Sequence, residues 1–204
     1  MVSTERRRRR RLSVGDRRDE LLAACLHLIG TRPWVEVSMA EVAAAAGVSK
    51  PLLYHYFATK ADLYLAAVRS AADDLSQATR TDPTLPPDRR LLQALTAHLD
   101  WIDAHSLAYR AVLQGGISSD LRVQAIVEAS RAETIRRLAD GCEFDVLSPA
   151  RRIALRGWVG FTEAACLDWL AAKDMSKSQL ALLLAASLGG ALAAANVDAA
   201  AVDA

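Results

Sequence analysis

The chain reads as all-α, with about nine helices forming an N-terminal three-helix head and a larger helical body. Three observations predict this. The 52% hydrophobic fraction is rich in Ala and Leu, strong helix formers, and poor in β-branched clusters. Apolar residues recur at spacings of three and four, with no alternating stretch that would signal a strand and no internal repeat. Caps and turn residues punctuate that periodicity at helix-length intervals. The 204 residues allow one large domain or two small ones.

Residues 1–15 form an arm. It contains Arg6 to Arg11, an unbroken arginine run, and closes at Gly15. Charges this dense repel one another and lack apolar anchors, so the arm is expected to be disordered when free. It is either a solubilising tail or an arm that lies along phosphates or enters a minor groove. Periodicity starts near Asp16, where Leu21, Leu22, Cys25, Leu28 and Ile29 make one apolar stripe. Gly30 is expected to end this helix, and Pro33 prevents its continuation. Trp34 and Val37 then act as plugs beneath the next helices.

Ser38 opens the second helix with Glu41 three residues on, a capping-box spacing in which hydroxyl and carboxylate satisfy each other's orphan amides. Gly47 supplies the left-handed residue that stops it. Ser49 caps the third helix, and Pro51 sits in its first turn, where a missing N–H costs nothing. Thr59 caps the fourth, which runs from Lys60 to Ala78 with Leu63, Ala67, Val68 and Leu75 inward.

The segment Thr81-Asp82-Pro83-Thr84-Leu85-Pro86-Pro87 is a loop. Helices are predicted beyond it at 88–105, 106–114, 119–140, 149–173 and 177–195, separated by Gly115-Gly116, Gly141 and Ser148-Pro149. The tail, 197–204, is expected to fray. The helix over 149–173 is apolar on more than one face, through Ile153, Leu155, Trp158, Val159, Phe161, Leu167, Trp169 and Leu170. The last helix adds Leu180, Leu182, Leu183, Leu184, Leu188 and Leu192. Gly157, Gly160 and Gly189-Gly190 would let helices approach closely. One chain covers such a surface poorly, so these two helices suit a four-helix interface between two copies, with an unusually thick single core as the alternative.

The net charge of +1 hides an asymmetry. Residues 1–60 hold 11 Lys and Arg against 6 Asp and Glu, leaving the rest of the chain net negative. A basic first third suggests that one end meets a polyanion. Cys25, Cys142 and Cys166 show no metal-ligand spacing, so buried thiols are expected rather than zinc or a disulfide framework. No metal or cofactor is expected. No apolar run of about 20 residues escapes interruption by charge, so no membrane span is expected, and Leu180 to Ala195 fits a buried helix. No signal-peptide pattern follows the basic start, which points to the cytoplasm. Motifs such as GxSxG, GxGxxG, the P-loop and HExxH are absent, and Cys25 and His27 are two apart on a helix and do not face each other, so catalysis is not expected.

The stretch from Ser38 to Phe57 has the form of a helix-turn-helix, whose second helix enters the major groove with its N-terminal residues on base edges. Those residues are Ser49, Lys50, Pro51 and Leu52. Lys50 can reach a guanine edge or a phosphate, whereas Pro51 and Leu52 offer only apolar contact. Direct readout is therefore modest, and DNA shape shares the work. Tyr54 and His55 fall about one turn beyond Lys50 and Pro51, on the same surface. Ser38 and Lys60 sit at helix starts, where amides and the dipole favour a phosphate. Leu53, Tyr56 and Phe57 pack inward.

From about residue 16 to residue 68 the chain resembles the DNA-binding region of TetR-type transcriptional repressors. The matching residues are Ile29-Gly30, Trp34, Ser38-Met39-Ala40-Glu41-Val42-Ala43, Ala46-Gly47-Val48-Ser49-Lys50, Leu53-Tyr54-His55-Tyr56-Phe57 and Lys60-Ala61-Asp62-Leu63. The resemblance implies phosphate contacts from Tyr54 and His55, a homodimer through the last two helices, and a small-molecule effector. It divides the chain into an arm (1–15), a helix-turn-helix domain (16–62), a regulatory body (63–196) and a tail (197–204). A two-fold dimer places its reading heads about 34 Å apart, or a multiple of that, and so implies a palindromic operator in double-stranded DNA. For an apolar or amphipathic effector, His98, Trp101, His105, Tyr109, Gln114, Trp158, Phe161, Thr162 and Glu163 supply a suitable mixture, although aromatics on helices serve equally as core. The expected function is a ligand-responsive regulator, a repressor released from its operator by effector. The alternative is a sequence-tolerant structural DNA-binding protein without effector.

Overall fold

The computed structural model describes residues 13–114, 120–142 and 148–196, and among them there are helices and no strand. The head comprises α1 (Val14–Thr31), a 3-10 turn (Trp34–Glu36), α2 (Met39–Ala45), α3 (Lys50–Tyr56) and the start of α4 (Lys60–Ala78). Local chemistry sets these limits. Ser38 and Glu41, and likewise Thr59 and Asp62, form reciprocal capping boxes. Ser49 Oγ accepts from the Leu52 amide, and Pro51 occupies the first turn of α3. Gly47 has φ 65°, the left-handed turn residue between α2 and α3.

The beginning of α1 departs from expectation. Ser13 caps it through a capping box with Asp16, so Ser13, Val14 and Gly15 belong to the helix and not to the arm. The remainder of the arm, with Arg6 to Arg11, lies outside the described residues, as does the tail 197–204. Gly30 does not stop α1, which continues to Thr31 and ends on an extended Arg32. Its role is packing. A Cβ placed on Gly30 would lie 2.2 Å from Leu107 Cβ and 2.8 Å from the Leu107 carbonyl carbon. The glycine lets α1 touch the body's α6 (Ser106–Gln114).

The head core contains Leu21, Leu22, Cys25, Val37, Val42, Leu53, Phe57, Leu63, Tyr64, Ala67 and Val68, with Val123 and Ile126 from the body. Trp34 stacks on Tyr64 at 4.7 Å between ring centroids, the plug expected of it. The early turns of α4 thus pack into the head, and a boundary after residue 62 falls within a continuous helix.

The body adds α5 (Pro87–Ala104), α6, α7 (Leu121–Gly141), α8 (Pro149–Ala172) and α9 (Lys177–Ala194). Helix α9 packs on α5 and α8, and α7 bridges α4 and α8. Leu95, Leu99, Ile102, Leu155, Cys166, Leu170, Leu180, Leu184 and Leu188 form this second core. Arg131 on α7 makes a two-pronged ion pair with Glu163 on α8, at 2.8 and 2.6 Å. Lys177 ties α9 to Asp100 and Asp103 of α5 at 2.7 and 3.0 Å. With mean hydropathy 1.3 over its 18 residues, α9 has the length and composition to cross a membrane. Leu180, Ala181, Leu184 and Leu188 nevertheless turn into the body core, while Leu182 and Leu183 face out.

Candidate DNA-reading head and body cavity

Five of the residues expected to meet DNA lie on α3. Lys50, Pro51, Leu52, Tyr54 and His55 are exposed, whereas Leu53 and Phe57 are buried and Tyr56 is half-buried. Lys50 Nζ lies 5.9 Å from the Tyr54 ring centroid, and His55 packs edge-on against Tyr56. The helix thus presents one cation, one imidazole, one phenol and two apolar side chains to its surroundings, as its spacing anticipated.

Two expected phosphate contacts have other partners. The Ser38 hydroxyl accepts from the Glu41 amide and donates to Glu41 Oε2 at 2.7 Å. Arg32 adds an ion pair to Glu41 at 2.6 Å. The Ser38 hydroxyl, then Arg32, hold the Glu41 carboxyl at about 2. That carboxylate already complements the α2 amide terminus, so a phosphate there must compete with it. Lys60 Nζ donates to the Val35 carbonyl at 3.1 Å and lies 4.5 Å over the Trp34 ring. Its ammonium has three donors, so it fastens the 3-10 turn with capacity to spare. Sequence reasoning did not single out Arg18, whose guanidinium lies 5.5 Å from the Phe57 centroid at the end of α3. Its place on the α1 face nearest α3 depends on tertiary packing, which spacing alone does not encode.

The body holds a partly open cavity of about 640 Å³, lined by α4 to α9. Its lining is mainly apolar, with Val68, Leu75, Leu95, Val112, Ile126 and Leu188 among the contributors. His98, Trp101, Tyr109, Trp158, Thr162 and Glu163 all reach it. Two expected lining residues do not. His105 is exposed, stacked on Trp101 at 4.3 Å with Nδ1 2.8 Å from the Trp101 carbonyl oxygen. Phe161 is 44% exposed, because it sits on the outer face of α8, beside Thr162 but turned away. Gln114's side chain lies outside the described residues. Sequence reasoning also missed Arg80, Arg90, Arg131 and Arg137 in the lining. Arginines on amphipathic helices ordinarily read as solvated, so no sequence signal marked them.

Several polar groups around the cavity are fixed by the protein. Trp101 Nε1 donates to Asp74 at 2.8 Å, and Trp158 Nε1 donates to the Leu184 carbonyl at 2.9 Å and Ser187 Oγ at 3.0 Å. Arg137 donates to the Ser76 carbonyl and to Thr79 Oγ1, both at 3.2 Å. Burial pushes the Cys25 and Cys166 thiols up to about 12, so both are inert, and Cys142 is partly buried at the cavity wall. Among the described residues no group of His, Cys, Asp and Glu could hold a metal ion.

Two family models match separate parts of the chain. The model for bacterial regulatory proteins of the tetR family matches residues 21–67, and the model for tetracyclin repressor-like C-terminal domains matches residues 87–188. The chain is 36% identical over 128 residues to the HTH-type transcriptional activator FasR of Mycolicibacterium smegmatis, covering 61% of this chain and 58% of that protein. It is 44% identical over 54 residues to the HTH-type transcriptional regulator BetI of Rhizobium meliloti, covering 26% and 27% of the two chains. These matches span less than two thirds of either relative. A tetR-family transcriptional regulator from Streptomyces coelicolor superposes with a TM-score of 0.81 at 29% identity, over 90% of this chain and 83% of that one. A TetR-like regulator from Rhodococcus sp. RHA1 superposes at 0.74 with 26% identity, over 90% and 99%. With one family model on the head and another across half of the chain, this protein belongs to the TetR family of bacterial regulatory proteins.

Proposed function

We propose that the chain is a homodimeric, effector-responsive DNA-binding regulator of transcription, acting as a repressor released from a palindromic operator by an apolar or amphipathic small molecule. The observation that carries this reading is that one helix serves both regions. Helix α4 starts at Lys60 beside α3, packs into the head core, and lines the cavity from Val68 to Ser76. A ligand that prefers one placement of α4 would shift the heads to the extent of that preference. Helix α6 offers a second route, with Tyr109 in the cavity and Leu107 against Gly30.

Dimerisation through α8 and α9 is supported by their outer faces. Ile153, Phe161, Leu182 and Leu183 are exposed there, and nothing lies within 4 Å of a Cβ built on Gly157, Gly160, Gly189 or Gly190. A second copy could bring its helices close against those glycines.

Binding to DNA selected from random sequence, titrated with salt, tests the proposal. A palindrome bound at least a thousandfold more tightly than random DNA supports it. Equal affinity for all sequences would instead favour a structural DNA-binding protein without effector. Activation is a second reading, favoured by the 36% identical relative, which is named an activator. Transcription in vitro from a promoter bearing the selected site separates the two by the sign of the response.

A further inference from the structure

Three residues of the cavity lining carry neutral polar groups that the fold does not use. His98 Nε2, Tyr109 Oη and Thr162 Oγ1 are buried and have no hydrogen-bond partner among the described residues. They come from three helices, α5, α6 and α8. The His98 and Tyr109 rings meet edge to face with centroids 6.2 Å apart. Tyr109 shares the body core with Cys166 of α8, which lies one turn beyond Thr162, and both Tyr109 and Thr162 line the cavity. Burial alone takes His98 down to about 4, so its ring is neutral at physiological pH. A neutral imidazole and two hydroxyls can each donate or accept.

Leaving one such buried group unpartnered costs on the order of 1–3 kcal/mol, so three in one lining indicate a use outside folding. An anion is a poor match for them. The guanidinium of Arg131 in the lining is already paired with Glu163 and Glu128, both at 2.6 Å. The walls around them, including Leu95, Trp158 and Val159, are apolar.

We infer that His98, Tyr109 and Thr162 together bind an uncharged oxygen, a carbonyl or hydroxyl, carried by an otherwise apolar ligand. This rests on the cavity being the effector site and adds what that site selects: a neutral polar group held by hydrogen bonds from three helices. A hydrocarbon of the same shape would enter the cavity but leave all three groups unpartnered. Selection on this principle discriminates strongly, because the penalty falls on the site whenever the oxygen is missing.

The test uses the full chain with two probes, octanol and octane, followed by the fluorescence of Trp101 and Trp158, both in the cavity wall. Tyr109→Phe and Thr162→Val each delete one hydroxyl at nearly constant shape. Each is expected to weaken octanol about five- to tenfold while leaving octane unchanged or tighter. Neither variant should melt below the parent, since an unpartnered buried hydroxyl is removed. If both probes bind the parent and each variant shifts them equally, the inference is overturned and the cavity reading stands. If neither probe binds the parent, the cavity reading fails and takes the inference with it. A variant that melts well below the parent would show its hydroxyl to be structural, which also overturns the inference.

Discussion

His98 is a histidine that folding keeps uncharged, and this makes it sensitive to acid. The unfolded chain takes up the proton near 6.5, the folded chain only near about 4, because burial opposes the charge. Between those values the unfolded state binds more protons, so stability falls as the pH falls through that window and is unaffected by this group above it. Replacing His98 with Leu removes the effect. Melting temperatures of parent and variant should stay parallel above pH 6.5 and diverge in the variant's favour towards about pH 4. Parallel curves throughout that range would refute the assignment. On the head, Lys50 is the exposed cation of α3. If it grips phosphate, Lys50→Ala should weaken all DNA uniformly and reduce the slope of log affinity against log salt by about 0.9. A loss confined to one operator base would mean that Lys50 reads a guanine edge instead.

At the scale of elements, the helix ends were legible because capping is local. Ser38-Glu41, Thr59-Asp62, Ser49-Pro51 and Gly47 each announce a boundary within four residues, and the structure uses all of them. Gly47→Ala should therefore destabilise the protein by about 1–2 kcal/mol in urea unfolding, since its φ of 65° disfavours any side chain. A Gly-to-Ala change within a helix would have the opposite sign, so the experiment separates the turn from a helical position. Ser13 escaped notice because the arginine run before it masks the start of α1. Gly30 is a related case: a glycine near a helix end signals a stop locally, and only the position of Leu107, remote in sequence, reveals close packing. The cavity was half legible. His98 and Tyr109 reach it while His105 and Phe161 do not, because the face of each helix that turns inward is set by neighbours on other helices.

For the whole molecule, the consequential surface is the outer face of α8 and α9. Leu182 is 59% exposed and Ile153 62% exposed, on helices whose other faces pack into the body core. A dimer formed there links two heads into one reading device. Leu182→Glu is expected to shift the protein to monomer by light scattering and to reduce palindrome binding to that of a half-site. The variant's thermal stability serves as a control, since an exposed side chain contributes little to the monomer's own core. A dimer that survives this change would place the interface elsewhere.

The contact of Gly30 with Leu107 sets a mechanical tolerance. Head and body meet there with clearance smaller than a methyl group, and the atoms that a new Cβ would strike include backbone, which cannot swing aside. Gly30→Ala must therefore displace α6 as a unit, and Tyr109 with it, at a cost of about 1–3 kcal/mol. The expected result is a protein whose DNA affinity no longer tracks occupancy of the cavity, measured as operator binding with and without ligand. Leu107→Gly would restore only part of the response, because the Leu107 carbonyl carbon still blocks the way at 2.8 Å. A single hydrogen atom in place of a side chain thus sets how closely the two halves of the molecule can meet.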